Sequence, residues 1–269
     1  MGGSYAKALT KKGFNVTAIT KDIESIEYAK KNKIIKEGAD FPDKALIEKA
    51  DLIVLAVYPH IVKEWILDNQ ANFKSGVIIT DVTGVKSNIV YDVQDILKPD
   101  AEFIAAHPMA GREVYGVKNS DDAIFKGANY IVVPTNKNTN EAIELCKKLG
   151  ETLGFERVSE LSPESHDKMI AFLSQLTHCI AVSLMCANGD PDLVSYTGDS
   201  FRDLTRIAKI NDEMWSELFL ANREALLSEM DSFKESFERL YGFIRDNDRD
   251  AMREMMRCST KRRKFFDKK

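Results

Sequence analysis

The chain has 269 residues, 44% hydrophobic and 30% charged, enough for a substantial core in one large or two medium domains. Its net charge of -4 offers no global basic field for nucleic acid, and the longest unbroken apolar run, Leu52 to Tyr58, is far too short to cross a bilayer. The four cysteines (Cys146, Cys179, Cys186, Cys258) lack Cys-x-x-Cys spacing and read as reduced thiols of a cytoplasmic protein.

The chain opens with Gly2-Gly3-Ser4 and a short amphipathic stretch that Gly13 is expected to close, a pattern unlike a signal peptide. Asn15–Thr20 reads as a strand, and Asp22 as the cap of a helix through about Lys31. Leu52–Val57 is continuously apolar, as in a strand covered on both faces. Val77–Asp81 and Glu102–Ala106 repeat the theme, with helical segments between, and Asn129–Val133 and Phe155–Val158 follow as shorter strands. Strands interleaved with helices predict an α/β fold with a doubly wound, mostly parallel, Rossmann-like sheet. The first strand and two leading glycines of such a fold do not precede Gly2, so the pattern begins about one strand late.

Near residue 160 the pattern changes. Ser162-Pro163 is a helix start, with Ser as the cap and Pro at the first helical position. Beyond it Met169, Ile170, Leu173, Leu176, Ile180 and Leu184 recur at helical spacing, as do Met214, Trp215, Leu218, Phe219, Leu226, Met230, Phe233, Phe237, Leu240, Tyr241 and Ile244. Residues 1–158 are therefore expected to form a dinucleotide-binding domain, and 159–269 an all-helical substrate and dimerisation domain. Helices this rich in Phe, Met and Leu point to a homodimer.

Several residues suggest chemistry. Small residues at Gly2, Gly3 and Ser4 would let a helix N-terminus approach a pyrophosphate. Thr20 stands where an NAD site wants an acid, and Lys21 could meet a 2′-phosphate, which leans the cofactor from NAD toward NADP. Thr83 and Gly84, at the end of another strand, are placed for a nicotinamide, although an ordinary strand-to-helix turn explains them equally. His107, followed by Pro108 and Gly111, is expected on a tight loop at the carboxyl end of a strand, where open α/β sheets bind ligands. Ser174 and His178 are four apart and share a helix face, with His166 further round. Arg206 can hold a carboxylate bidentately, or pair with Asp203. No cluster of His, Cys and carboxylates suggests a metal.

These pieces, in this order, resemble the prephenate dehydrogenase family, which includes prephenate, arogenate and cyclohexadienyl dehydrogenases of tyrosine biosynthesis. The specific elements are His107-Pro108-Met109-Ala110-Gly111 and Thr205-Arg206-Ile207-Ala208, with Trp215 nine residues after that arginine. The resemblance implies oxidative decarboxylation with hydride transfer to NAD or NADP. It makes His107 the catalytic histidine, Arg206 the substrate-carboxylate arginine, Ser174 and His178 substrate contacts, and Trp215 a pocket wall. Glu113 and Asp203 match acidic residues that shape and gate the pocket. Gly84 stands where relatives often carry a serine that supports the histidine, with Thr83 as a substitute, and Arg112 replaces a frequent threonine. Two alternatives remain at this stage. One is another two-domain dehydrogenase, of the β-hydroxyacid or pyrroline-carboxylate type. The other is a non-catalytic dimeric binding protein.

Overall fold

The computed structural model describes residues 1–111 and 114–267. Arg112 and Glu113 lie outside the described residues, and so does the gating role expected of Glu113. The chain divides into two compact units, Met1–Asn222 and Arg223–Lys269.

In the first unit the strands are β1 (Thr17–Ile19), β2 (Glu37–Ala39), β3 (Leu52–Leu55), β4 (Ile78–Asp81), β5 (Glu102–Phe103), β6 (Ala105–Met109), β7 (Asn129–Val133) and β8 (Arg157–Glu160). The helices are α1 (Gly2–Lys11), α2 (Ile23–Lys31), α3 (Lys44–Glu48), α4 (Pro59–Asn69), α5 (Ser87–Ile96), α6 (Asn140–Leu153), α7 (Pro163–Ile170), α8 (Thr177–Ala187), α9 (Asp199–Thr205) and α10 (Asp212–Ala221). β1 pairs with β2, and β3, β4 and β5 pair in that order, all parallel. β7 pairs antiparallel with β6 and parallel with β8.

β5 and β6 are nearly continuous, and the alternation of a strand splits their side chains between two cores. Phe103 and Ala105 face a core with α4 and α5 that includes Ile66, Ile79 and Val90. Ile104 and Ala106 face a second core with α1 and α6 that includes Tyr5, Tyr130 and Leu149. Gly150 of α6 is pressed on Tyr130, since a Cβ there would lie 2.5 Å from the ring.

β3 is apolar along its whole length, yet only Leu55 is buried. No strand among the described residues pairs with its free edge, so the two-sided cover expected of it is incomplete. Asp22 caps α2 by accepting from the N–H groups of Glu24 and Ser25. Ser162 caps α7 with Pro163 in the first turn.

A π-helical turn, Ala171–Leu176, joins α7 to α8. Pro163–Ala187 is thus one helical run of 25 residues with hydropathy 1.7, long and apolar enough by those measures to cross a membrane. It carries His166, Asp167 and Gln175 buried and hydrogen-bonded, as in a helix packed within a protein. The π turn takes an extra residue and rotates the apolar stripe. Leu173, expected on the buried face with Ile170 and Leu176, is 45% exposed instead.

The second unit holds α11 (Arg223–Arg245) and α12 (Arg249–Arg263), which pack on each other. Phe233, Phe237, Tyr241 and Ile244 recur along α11 and are exposed. Within the first unit, buried hydrogen bonds tie Asp167 of α7 to the start of α5 and Asn222, just past α10, to α7.

Candidate active site

His107 lies within β6, opposite Ile131 of β7, and not on the loop expected for it. The antiparallel pairing carries the strand past the histidine to Met109. Pro108 is tolerated because β6 is an edge of its sheet.

Three side chains form a line into the protein from this imidazole. His107 Nδ1 is 2.8 Å from His166 Nε2, and His166 Nδ1 is 2.8 Å from Asp167 Oδ1. Asp167 is fixed in turn by backbone donors from Lys86 and Ser87 at the start of α5, both at 2.8 Å. Burial alone would raise the Asp167 carboxyl, but the hydrogen bonds from His166, Ser87 and Lys86 outweigh it and hold the group below the usual carboxylate range. Burial, then the neighbouring His166 and Lys86, hold His107 well below the ordinary imidazole value. Burial likewise lowers His166, against the pull of Asp167. Both rings are therefore neutral near pH 7.

A buried ion pair underlies this line. Lys86 and Asp81 are both fully buried, with Nζ 2.6 Å from Asp81 Oδ2. Lys86 Nζ also donates to Thr83 Oγ1 (3.1 Å) and to the Ala106 carbonyl (2.6 Å), while Asp81 Oδ1 accepts from the Ala106 N–H (3.1 Å). The pair thus grips both polar groups of the residue just before His107. Sequence reading missed it, because a lysine in a Gly-containing turn looks like a solvated one.

The Thr83 hydroxyl donates to Asp81 and also lies 3.1 Å from the Val85 carbonyl, so it is already engaged away from His107. Gly84 has no side chain to offer, although a Cβ there would meet only Leu218 at ordinary contact distance. His166, which the sequence placed merely within reach of a cleft, is the partner that His107 has.

The helical residues form a second group. His178 Nδ1 lies 2.8 Å from the Ser174 carbonyl, so it must carry the hydrogen and donate. The His178 ring lies against Trp215, with centroids 3.7 Å apart. Gln175 joins this region to the line: it donates to the Leu218 carbonyl and accepts from Asn222, which also donates to the Asp167 carbonyl (2.9 Å). Arg206 is exposed on a short 3-10 turn that packs against α8, and Asp203 is exposed on α9.

At the start of the chain, Gly2 and Gly3 begin α1. A Cβ at Gly2 would lie 3.0 Å from that of Ala56, just past β3, and one at Gly3 would collide with Ser120. The Ser4 hydroxyl accepts from the Asp121 N–H. A helix N-terminus made of small residues, beside the carboxyl end of β3, fits a dinucleotide pyrophosphate. At the tip of β1, Thr20 is half-buried, Lys21 is exposed, and Asp22 is spent on capping α2.

Residues 5–158 match the family model for the prephenate dehydrogenase nucleotide-binding domain, and residues 162–258 match that for its dimerization domain. The chain belongs to the prephenate dehydrogenase family. The prephenate dehydrogenase of Bacillus subtilis (strain 168) is 28% identical over 263 residues, covering 94% of this chain and 70% of the relative. That of Lactococcus lactis subsp. cremoris is 30% identical over 261 residues, covering 94% and 71%. The crystal structure of A. aeolicus prephenate dehydrogenase in complex with hydroxyphenyl propionate and NAD+ superposes with a TM-score of 0.89 at 31% identity, covering 99% of this chain and 95% of that one.

The family's reaction is an oxidative decarboxylation in tyrosine biosynthesis, with hydride passing to a nicotinamide cofactor. The other dehydrogenase types and the non-catalytic reading are not favoured by these matches. The leaning toward NADP gains no support, since the similar structure holds NAD+. The Rossmann-like fold and the helical dimerisation segment agree with the sequence-based expectation.

Proposed function

We propose that His107 is the proton acceptor of this dehydrogenase and that Arg206 anchors a carboxylate of prephenate or arogenate. The observation that carries the reading is the neutral His107 at the end of a buried hydrogen-bonded line. The substrate ring bears a hydroxyl at the carbon opposite a quaternary carbon that holds a carboxylate. His107 takes the hydroxyl proton as hydride leaves that carbon. Carbon dioxide departs from the opposite carbon, its bonding electrons complete the aromatic ring, and the proton returns to the phenol oxygen or to solvent. The nicotinamide, when bound, accepts the hydride.

The roles of the remaining residues follow from chemistry. Ser174 and His178, with Trp215 tilted against the histidine, supply polar and flat contacts for a ring substrate. Asp203 and Glu113 shape the entrance. Gly2, Gly3 and Ser4 would receive the pyrophosphate, with Thr20 and Lys21 at the ribose and the Thr83-Gly84 backbone beside the nicotinamide. Arg206 anchors the carboxylate by paired, charge-assisted hydrogen bonds, which supply substrate binding and set the pose. The working form is a homodimer through the exposed apolar faces of the C-terminal helices, and the compartment is the cytoplasm, in keeping with four free thiols.

The test is absorbance at the nicotinamide band with prephenate and arogenate, each with NAD and NADP. One substrate–cofactor pair should turn over. His107→Asn should cut kcat about 10²–10⁴-fold with KM nearly intact, the range a general base supplies. Unimpaired turnover by His107→Asn would refute the assignment.

A further inference from the structure

His166 is fully buried, and its two ring nitrogens lie 2.8 Å from His107 Nδ1 and Asp167 Oδ1. We propose that His166 and Asp167 are a positioning pair that holds His107 in one tautomer and one orientation, with Nε2 as the proton-accepting atom. This inference rests on His107 being the proton acceptor.

Hydrogen-bond bookkeeping along the line fixes each proton in turn. Asp167 already receives two backbone N–H donors at the start of α5, so its carboxylate is an acceptor only. His166 Nδ1, 2.8 Å away, must therefore carry a hydrogen. A neutral His166 then has a bare Nε2, which can only accept. His107 Nδ1, 2.8 Å from it, must be the N–H that donates. What remains on His107 is a bare Nε2. The alternative tautomer would set two lone pairs against each other at 2.8 Å.

The groups facing His107 agree with this order. From α7 come His166 and Asp167, from the turn before α5 comes the Lys86 ammonium, and from β4 comes Asp81, which neutralises that ammonium. Among the described residues the turn after β4 offers His107 no hydroxyl, because Gly84 has none and that of Thr83 is committed to Asp81. The backbone of the pair is also held, since the Asp167 carbonyl accepts from Asn222. When His107 gains the proton, its Nδ1–H can strengthen toward His166 without any ring rotation. Orientation of the base and stabilisation of its charged form thus come from one contact.

The decisive experiment reads the protons directly. The protein is labelled with nitrogen-15 in histidine, and His107 and His166 are assigned by their loss in His107→Asn and His166→Leu. Long-range proton–nitrogen spectra near pH 8 should show His107 protonated at Nδ1 and bare at Nε2. A His107 protonated at Nε2 overturns the proposal. In kinetics, His166→Leu should lower kcat about 10–100-fold with substrate and cofactor KM within about twofold. His166→Gln, whose Oε1 can accept from His107 Nδ1, should recover most of that loss. Equal defects in the two variants, with equal melting temperatures, would make His166 merely structural and also overturn it. The prior reading fails separately, if His107→Asn itself retains full turnover.

Discussion

The Lys86–Asp81 pair offers a sharp test of how the site is held. Both side chains are fully buried, so the loss of either leaves a charge without water. The two losses are not equal. Asp81→Leu leaves the ammonium with only two neutral acceptors, Thr83 Oγ1 and the Ala106 carbonyl. Lys86→Met leaves the carboxylate with three donors, the N–H and hydroxyl of Thr83 and the N–H of Ala106. Breaking a buried pair on one side costs about 3–5 kcal/mol, and Asp81→Leu should fall there. Lys86→Met should cost about 1–3 kcal/mol, the penalty of a hydrogen-bonded group losing one partner. The double variant removes both charges and should cost no more than Asp81→Leu, which makes the coupling at least the cost of Lys86→Met, about 1–3 kcal/mol. Urea unfolding of the four proteins measures this, provided the slopes agree. Single effects that add to within about 0.5 kcal/mol would refute the argument, because independent sites behave that way.

Acid should affect activity and stability in the same direction. Burial holds His107 and His166 below the ordinary value of about 6.5, so the native protein takes up these protons later than the unfolded chain. Their contribution to stability is full above about pH 6.5 and is lost as pH falls toward the native pKa values, which melting temperature against pH will show. The profile of kcat/KM should stay level through pH 6.5 and fall only in more acidic solution, and an acid limb centred at 6.5 would contradict a base held low by desolvation and by His166 and Lys86. Arg206→Ala should raise substrate KM about 10–100-fold with little change in kcat, as expected for a lost charge-assisted hydrogen bond, and a loss confined to kcat would remove the anchor role. Gly150→Ala should destabilise by about 1–3 kcal/mol despite alanine's better helix propensity, because its methyl would meet the fully buried Tyr130 ring. A stabilised variant in urea melts would show that the ring can move.

Short-range chemistry was readable along the chain. Asp22 and Ser162 cap their helices as residue type predicts, since a cap needs only a side-chain oxygen two or three residues from its donor. Asn129–Val133 is a strand over those same residues, because its β-branched run has no local competitor. Thr17–Ile19 is shorter than the stretch expected, and Arg157–Glu160 starts two residues later than Phe155, as pairing partners and not propensity end a strand. The π turn was hidden, because the apolar spacing of Ile170, Leu173 and Leu176 fits an ordinary helix equally well.

The sequence by itself determined the class of the fold and the family to which the chain belongs, because these rest on local patterns and on a run of motifs in order, and it singled out His107 as the candidate base. Only the tertiary structure decided what steadies that histidine. His107 and His166 lie 59 residues apart, and Lys86 grips the Ala106 carbonyl 20 positions further along the chain. No periodicity encodes such meetings. They exist because α7 packs over the start of α5 and the β5–β6 segment runs beside β4, which brings buried polar groups together where each must find a partner.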